Sequence, residues 1–459
     1  MRVRWWRLLV VPISGLLLVA GCSGGAGREA ATTAETLPLP PAMSPAPSVP
    51  APGTLLGMIM SDASASTSVA LARLDPLRLR PLPGPRLEIK GNWAVQAVTP
   101  DRSMAVLTND DGGELAIVDL TQLRNLGTIR LPAIEPQTGW VAAATFVGRS
   151  RVLLARALGD DASATVQATL VDLATRRVLR QQRLDGQVLA SAHLPGGRLA
   201  LLLGPPASIG LARLALVGAD AEVHVMILDR ISAGFQRLDT GGSDPRARQA
   251  MPGLAVDAAG GHAFVVAADQ PVAEVDLQHL AVGYHQLERP ASPLQRLASW
   301  LVPPAEAKEI SGPARNALWL SDGLLAVSGS DARATASGEY SEVPSGLQLI
   351  DTRTWTARTV EPHAGNATLV GGRLLAWGVS FGPGRNQGYG LTVFGPGDRR
   401  PVHLFGSQEV TWVEASGNLA YVSLNEGSAT AWAVVDLRSQ RVLWHAQGDL
   451  PQLVLPGRP

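Results

Sequence analysis

Three observations predict an all-β fold built from repeated four-strand sheets. Short apolar runs recur along the chain, separated by Gly, Asn, Asp and Pro. Many of these runs end in Asp just before a turn, at roughly 40- to 60-residue intervals with one of about 75. Finally, Gly 48 and Pro 34 in 459 residues supply the turns such a chain needs. A four-strand sheet cannot bury both faces alone, so the repeats must pack on one another. Four strands per repeat at this period predict a β-propeller.

The N-terminus reads as an address. Arg2, Arg4 and Arg7 precede the apolar run Leu8 to Val19, and Ala20-Gly21 lead into Cys22. The run is short for a membrane span and suits a signal peptide. Val-Ala-Gly-Cys resembles the lipobox of bacterial lipoproteins. That resemblance implies cleavage before Cys22 and lipidation of its thiol, with acyl chains as the anchor. Residues 1–21 are thus expected to be the signal peptide. The Pro-rich stretch 22–53 cannot build a core and is expected to be a tether. The expected location is the outer side of the cytoplasmic membrane, held by lipid.

Residues 54–459 carry the repeats. The clearest copy runs from Trp93 to Leu131, with strands AVQAV, MAVLT, LAIVDL and LGTIRL. The aspartate mark recurs at Asp75, Asp119, Asp172, Asp229, Asp276, Asp351 and Asp436, with Gly395 in a decayed copy. A carboxylate there accepts backbone N–H bonds in the turn between third and fourth strands, a structural role. The first unit has three strands and lacks an innermost one. LPQLVLPGRP at the C-terminus resembles the first strand of other units, so Leu450 to Leu455 is expected to close the first blade. Eight blades follow, or seven if one long unit is misassigned.

This text resembles the bacterial YVTN and WD-repeat-like surface propellers, most closely in VTPDRSMAVLTND and LAIVDLTQLRNLGTIRL. The eponymous tetrapeptide is represented by AVLTN and AYVSLN, and the Gly-His and Trp-Asp signatures of WD repeats are absent. The resemblance implies the fold, which does not fix a partner.

Composition excludes several function classes. With 39 basic and 39 acidic residues the formal charge is +0, so no nucleic-acid partner is expected. Cys22 is the lone cysteine, which rules out a disulfide within the chain. The eight histidines form no His-x-His or His-Glu-x-x-His spacing. Acidic pairs at Asp110-Asp111 and Asp160-Asp161 read as solvated loops. The strand tryptophans read as core packing rather than a quinone shelf. No cofactor or metal is expected.

The favoured reading is a monomeric binding or scaffolding module with a protein partner. The alternative is a lactonase-like or hydrolase enzyme with a site at the central channel. Carboxylates with His or Asn at the channel mouth would mark the enzyme, whereas small apolar residues would mark the binder. Long connections point to one working rim: 204–222, 328–345 and 379–390 between second and third strands, and crossovers 239–252 and 288–313. Leu294, Leu297, Trp300 and Leu301 fall at helical spacing, predicting a short helix within about 291–308. Trp300, Arg333, Tyr340, Arg385 and Tyr389 are the expected anchors, because Trp, Tyr and Arg dominate binding hot spots.

Overall fold

Alternating apolar residues make each strand two-faced, and the two faces pack against different neighbours. In Met104–Asn109, Ala105 and Leu107 enter one core while Val106 enters the next. This period-2 pattern forces the sheets to stand face to face in a series. The structure is a computed structural model. It describes residues 55–454 except 62–67, 110–111, 133–138, 159–163, 239–245, 288–311, 322, 335–339, 383–385, 397–399 and 428.

Eight antiparallel sheets form an eight-bladed propeller. Blade 2 is the simplest, running Trp93–Val98, Met104–Asn109, Glu114–Asp119 and Arg124–Arg130 from axis to rim. Blade 3 spans Gly139–Val147 to Arg177–Asp185, blade 5 Gly253–Val256 to Ala281–His285, and blade 8 Glu409–Ser416 to Arg441–Gln447. Eight apolar clusters lie one between each pair of adjacent blades, including blades 8 and 1. That closed series of cores settles the count at eight rather than seven. The first strands of blades 2 to 7 approach one another from blade to blade.

Blade 1 closes as expected. Gln452–Val454 pairs antiparallel with Leu56–Met58, placing the end of the described chain beside its beginning. Leu453 enters the core against blade 8 and Val454 the core against blade 2. The fourth strand of this blade is Pro81–Lys90. Arg78 and Leu79 are taken up by the turn that Asp75 caps.

Blade 4 corrects the sequence reading. Its third strand is Ile209–Val217, inside the stretch 204–222 expected to be a loop. Val223–Leu238, which contains VMILD, is the fourth strand, and Arg246–Ala250 adds a fifth within the expected crossover. Asp229 therefore caps no third-to-fourth turn. Asp220 occupies that turn, and its Oδ1 accepts the Glu222 amide at 3.1 Å. The apolar run before Asp229 looked like every other third strand, which is why it misled.

The remaining turn aspartates behave as expected. Asp119 Oδ1 accepts the Thr121 and Gln122 amides at 2.8 and 3.0 Å. Asp172, Asp276, Asp351 and Asp436 bond the amides that follow them in the same way. Four residues after each aspartate the chain enters the left-handed region, at Leu79, Leu123, Arg176, Leu280, Trp355 and Gln440. The carboxylate holds the turn that imposes this strain. No helix occurs among the described residues; the expected one, about 291–308, lies outside them.

Candidate partner-binding face

Second-to-third-strand connections and crossovers emerge at one end of the blades. At that end blades 4 and 6 each carry a fifth strand beyond the four of the propeller unit. Blade 6 shows it best. Gly312–Ser321 and Leu324–Ala334 pair from Gly312↔Ala332 to Ser321↔Leu324. The second strand then turns back as Tyr340–Pro344, with Ala334↔Tyr340 and Ser330↔Pro344. The stretch 328–345 is thus a β-hairpin and not an irregular loop.

This hairpin joins its neighbours through the backbone. The Glu342 amide donates to the Phe381 carbonyl at 2.8 Å, and the Phe381 amide returns the bond to Glu342 at 2.8 Å. Phe381 opens the turn between Arg373–Ser380 and Gln387–Phe394 of blade 7. On the other side, Met251 leads into blade 5. Its amide donates to the Pro313 carbonyl at 3.0 Å, and the Arg315 amide donates to the Met251 carbonyl at 2.7 Å. Arg246–Ala250 precedes Met251 and pairs with Gly234–Leu238 of blade 4. Gln187 extends the series, its side-chain amide bridging the Phe235 N–H and C=O at 3.0 and 2.9 Å. The result is a secondary belt of strand segments laid over four consecutive blades.

Side chains fix the belt. Arg315, mostly buried, donates to the Ala314 and Ser330 carbonyls at 2.9 and 3.0 Å and to Asp331 at 2.8 Å. A charge this sheltered is tolerable because carbonyls and a carboxylate satisfy its fork. The Ser330 hydroxyl donates to Glu342. Gly312 has a positive φ, and a Cβ there would collide with the Gln249 carbonyl. Val343, on the returning strand, is 46% exposed.

The expected anchors fall unevenly. Cys22, Trp300 and Arg385 lie outside the described residues. Arg333 and Tyr340 sit in the hairpin, where Arg333 pairs with Ser341 and Tyr340 with Ala334; their side chains lie outside the described set. Tyr389 is half-buried. Its ring stacks on His363 at 4.3 Å and its hydroxyl bonds Ser380 at 3.0 Å. The belt brings the segments of Arg333, Tyr340 and Tyr389 to one end of two adjacent blades. Sequence reasoning missed Met251, Gln187 and Arg315, which carry no motif. The signal available was length: strands of 10 and 11 residues in blade 6 outrun the 6-residue strands of blade 2.

The first strands around the axis carry mainly Ala, Val, Leu, Ser and Thr. Glu409 and Glu414, both in blade 8, are their carboxylates. At the belt end of blade 8, Asn425 donates to Glu409 at 3.2 Å. Glu426 accepts Gln408 at 2.8 Å and faces His445 at 3.0 Å. Among the described residues no three His, Cys, Asp or Glu groups converge as a metal site. At the other end, between blades 4 and 5, a groove of 290 Å³ is lined by Arg198, Asp220, Glu222, His224, Leu277 and Leu280. Burial and the neighbouring Asp229 push the Tyr284 phenol up to about 12.

No protein-family description matches this chain, and no curated protein matches it. Among solved structures it is similar to the dihydro-heme d1 dehydrogenase NirN in complex with DHE, at 13% identity and a TM-score of 0.45, covering 90% of this chain and 78% of that one. It is also similar to BamB from Moraxella catarrhalis, at 11% identity and 0.42, covering 83% and 99%. The WD40 domain of SCAP from fission yeast aligns at 9% identity and 0.35, covering 87% and 85%.

Proposed function

We propose that the chain is a lipid-anchored, extracytoplasmic binding or scaffolding module whose protein partner docks on the belt over blades 4 to 7. The observation that carries this is the belt itself. Ring closure needs packed blades; it does not need backbone bonds between blades, which stiffen one end of one half of the ring. A stiff, elaborated surface loses little freedom on binding, which favours its use as a docking face. The mainly small and apolar first strands support the binding reading over a channel enzyme. The lipobox text at Cys22 supports the anchor.

Affinity capture from native membranes tests the docking face. Val343→Lys, placed on the exposed returning strand, is expected to abolish capture of the protein that the unaltered chain retains. The melting temperature should stay unchanged. Arg333→Ala with Tyr340→Ala is expected to weaken capture at least tenfold. Undiminished capture by both variants would put the partner elsewhere. Cys22→Ser tests the anchor: it should release the chain from membranes after a carbonate wash.

A further inference from the structure

The end of the ring opposite the belt gathers both ends of the described chain. The Leu55 carbonyl accepts the Leu74 amide at 2.9 Å, beside the turn that Asp75 caps. Val454 pairs with Leu56 at the same level. The stretch expected to be a tether therefore joins the propeller at this end, among the third-to-fourth-strand turns.

Those turns carry a recurring arginine. Arg80, Arg124, Arg177 and Arg441 each stand five residues after a turn aspartate, Asp75, Asp119, Asp172 and Asp436, and Arg400 stands five after Gly395. Strand register sets the arginine directly across from the aspartate in Asp119↔Arg124, Asp172↔Arg177 and Asp436↔Arg441. All five arginines are exposed. They belong to blades 7, 8, 1, 2 and 3, which are consecutive in the closed ring, so they form one arc. Blade 4 has Glu222 at the equivalent place, its carbonyl accepting the Gly218 amide at 2.8 Å. Blades 5 and 6 have Ala281 and Thr356 there, across from Asp276 and Asp351.

Cross-strand pairing with the aspartates does not account for the arc. Arg124 lies 3.7 Å from Asp119, but Asp172 takes Arg151 at 3.9 Å instead. The side chains of Arg80, Arg177, Arg400 and Arg441 have no hydrogen-bonded or ionic partner among the described residues. More arginines thicken the arc: Arg149, Arg151 and Arg176 reach the same end of blade 3 and are exposed. Blade 5 shows the contrast, with Asp257 and Asp276 at this end and no arginine. Binding a small anion would need these groups to converge. Spread over five blades, they suit an extended surface of phosphates, and guanidinium forks match phosphate oxygens.

We propose that the arginine arc rests on anionic phospholipid headgroups, so that the anchored propeller turns this end to the bilayer and its belt away from it. The proposal rests on the lipid anchor of the proposed function and adds an orientation to it. The full chain, reconstituted into phosphatidylcholine vesicles without or with phosphatidylglycerol, tests it. Flotation on the neutral vesicles reads the anchor alone. A fluorophore at Gln122→Cys, in a turn of the arc, or at Val343→Cys, on the belt, reads the distance to dye-bearing headgroups by energy transfer. With phosphatidylglycerol, transfer from position 122 should exceed that from 343 at least threefold. High salt should erase most of that excess. So should Arg80→Gln, Arg177→Gln and Arg441→Gln together, with the melting temperature unchanged because these side chains face solvent. Equal transfer from the two positions on anionic vesicles overturns the proposal. So does an excess that is as large without phosphatidylglycerol or in the triple variant. A chain that floats on anionic vesicles only would support the arc and sink the anchor, whereas one that floats on neither overturns both.

Discussion

Blades 8, 1, 2 and 3 and blades 4 to 7 are made of the same unit, yet they hold their neighbours differently. Both halves use apolar cores between blades. In the first half, polar contacts across blades come from side chains among the described residues. Arg73 reaches the Thr121 carbonyl at 2.9 Å, and Arg156 reaches Gly112 at 3.1 Å. In the second half, main chain bonds main chain between Met251 and 313–315 and between Glu342 and Phe381. Blade 2 ends in a 7-residue strand where blade 4 has one of 16. The plain half shows that side-chain packing suffices to build the ring. The belt is therefore an addition to a scaffold that does not need it for closure. It also makes local demands, a glycine at 312 where a Cβ would meet the Gln249 carbonyl and a set of acceptors for the sheltered Arg315.

The largest effect is expected where the plain half closes the ring. Deleting residues 449–459 strips Leu453 and Val454 from two cores and leaves the edge of Leu56–Met58 unpaired. Two buried apolar side chains and the lost ladder bonds amount to roughly 5 kcal/mol or more. Calorimetry should show a large fall in melting temperature. An unchanged transition would mean that the ring does not depend on this strand.

Next in size is a glycine pair, one from each half. Gly312→Ala puts a Cβ into the Gln249 carbonyl at a positive φ, wedging blade 6 away from the segment before blade 5. Gly148→Ala, in a turn of blade 3, also has a positive φ but meets nothing within 4 Å. The first is expected to cost about 2–4 kcal/mol and the second about 1. Equal losses in denaturant melts would show that the belt can give way freely.

Much of the fold is legible in the sequence, because period-2 alternation and capped turns are local. The repeating four-strand unit and the closing strand follow from that text, while the choice of eight blades over seven rests on the closed series of cores. Blade 4 fails for a physical reason. VMILD and LARLALVG are both apolar runs that end near a turn-forming residue, and local pattern cannot say which stands third. The answer lies in cross-strand register, Leu214↔Met226, which is non-local. The belt is illegible for the same reason. Nothing in Met251 or Phe381 announces that their backbones pair with strands of the next blade.

A smaller effect is expected from unhooking one belt joint. Phe381→Pro removes the N–H that bonds Glu342, and it weakens the return bond by forcing the backbone aside. The cost should be about 1–2 kcal/mol. Hydrogen exchange is the sharper reading. In the unaltered chain the Glu342, Phe381 and Arg315 amides should exchange as slowly as in-sheet amides. In the variant Glu342 should become fast while Ala326 and Leu375, inside their blades, stay slow. Fast exchange at these amides in the unaltered chain would mean that the belt opens readily, erasing the contrast between the halves.

The smallest effect should be the same in both halves, because the turn chemistry is shared. The carboxyls of Asp119 and Asp172 in the plain half, and of Asp276 and Asp351 in the belted half, are all held below their ordinary value. The leading cause differs: the Thr121 hydroxyl, the Thr175 amide, the His279 ring and the Arg353 side chain, respectively. In Asp276 the value falls from 3.8 to about 2. A carboxyl with a depressed value in the folded chain favours folding when ionised. Its contribution is complete above the unfolded value and drains away as pH falls through the folded one. For Asp276 that window runs from 3.8 down to about 2. Asp276→Asn keeps an acceptor for the turn amides but cannot titrate, so its melting temperature should fall less steeply across that window. At pH 7 it should sit slightly lower than the unaltered chain. Asp119→Asn should do the same from the other half. A flattened acid limb in one variant and not the other would show that the belt reaches through the blades to the opposite end.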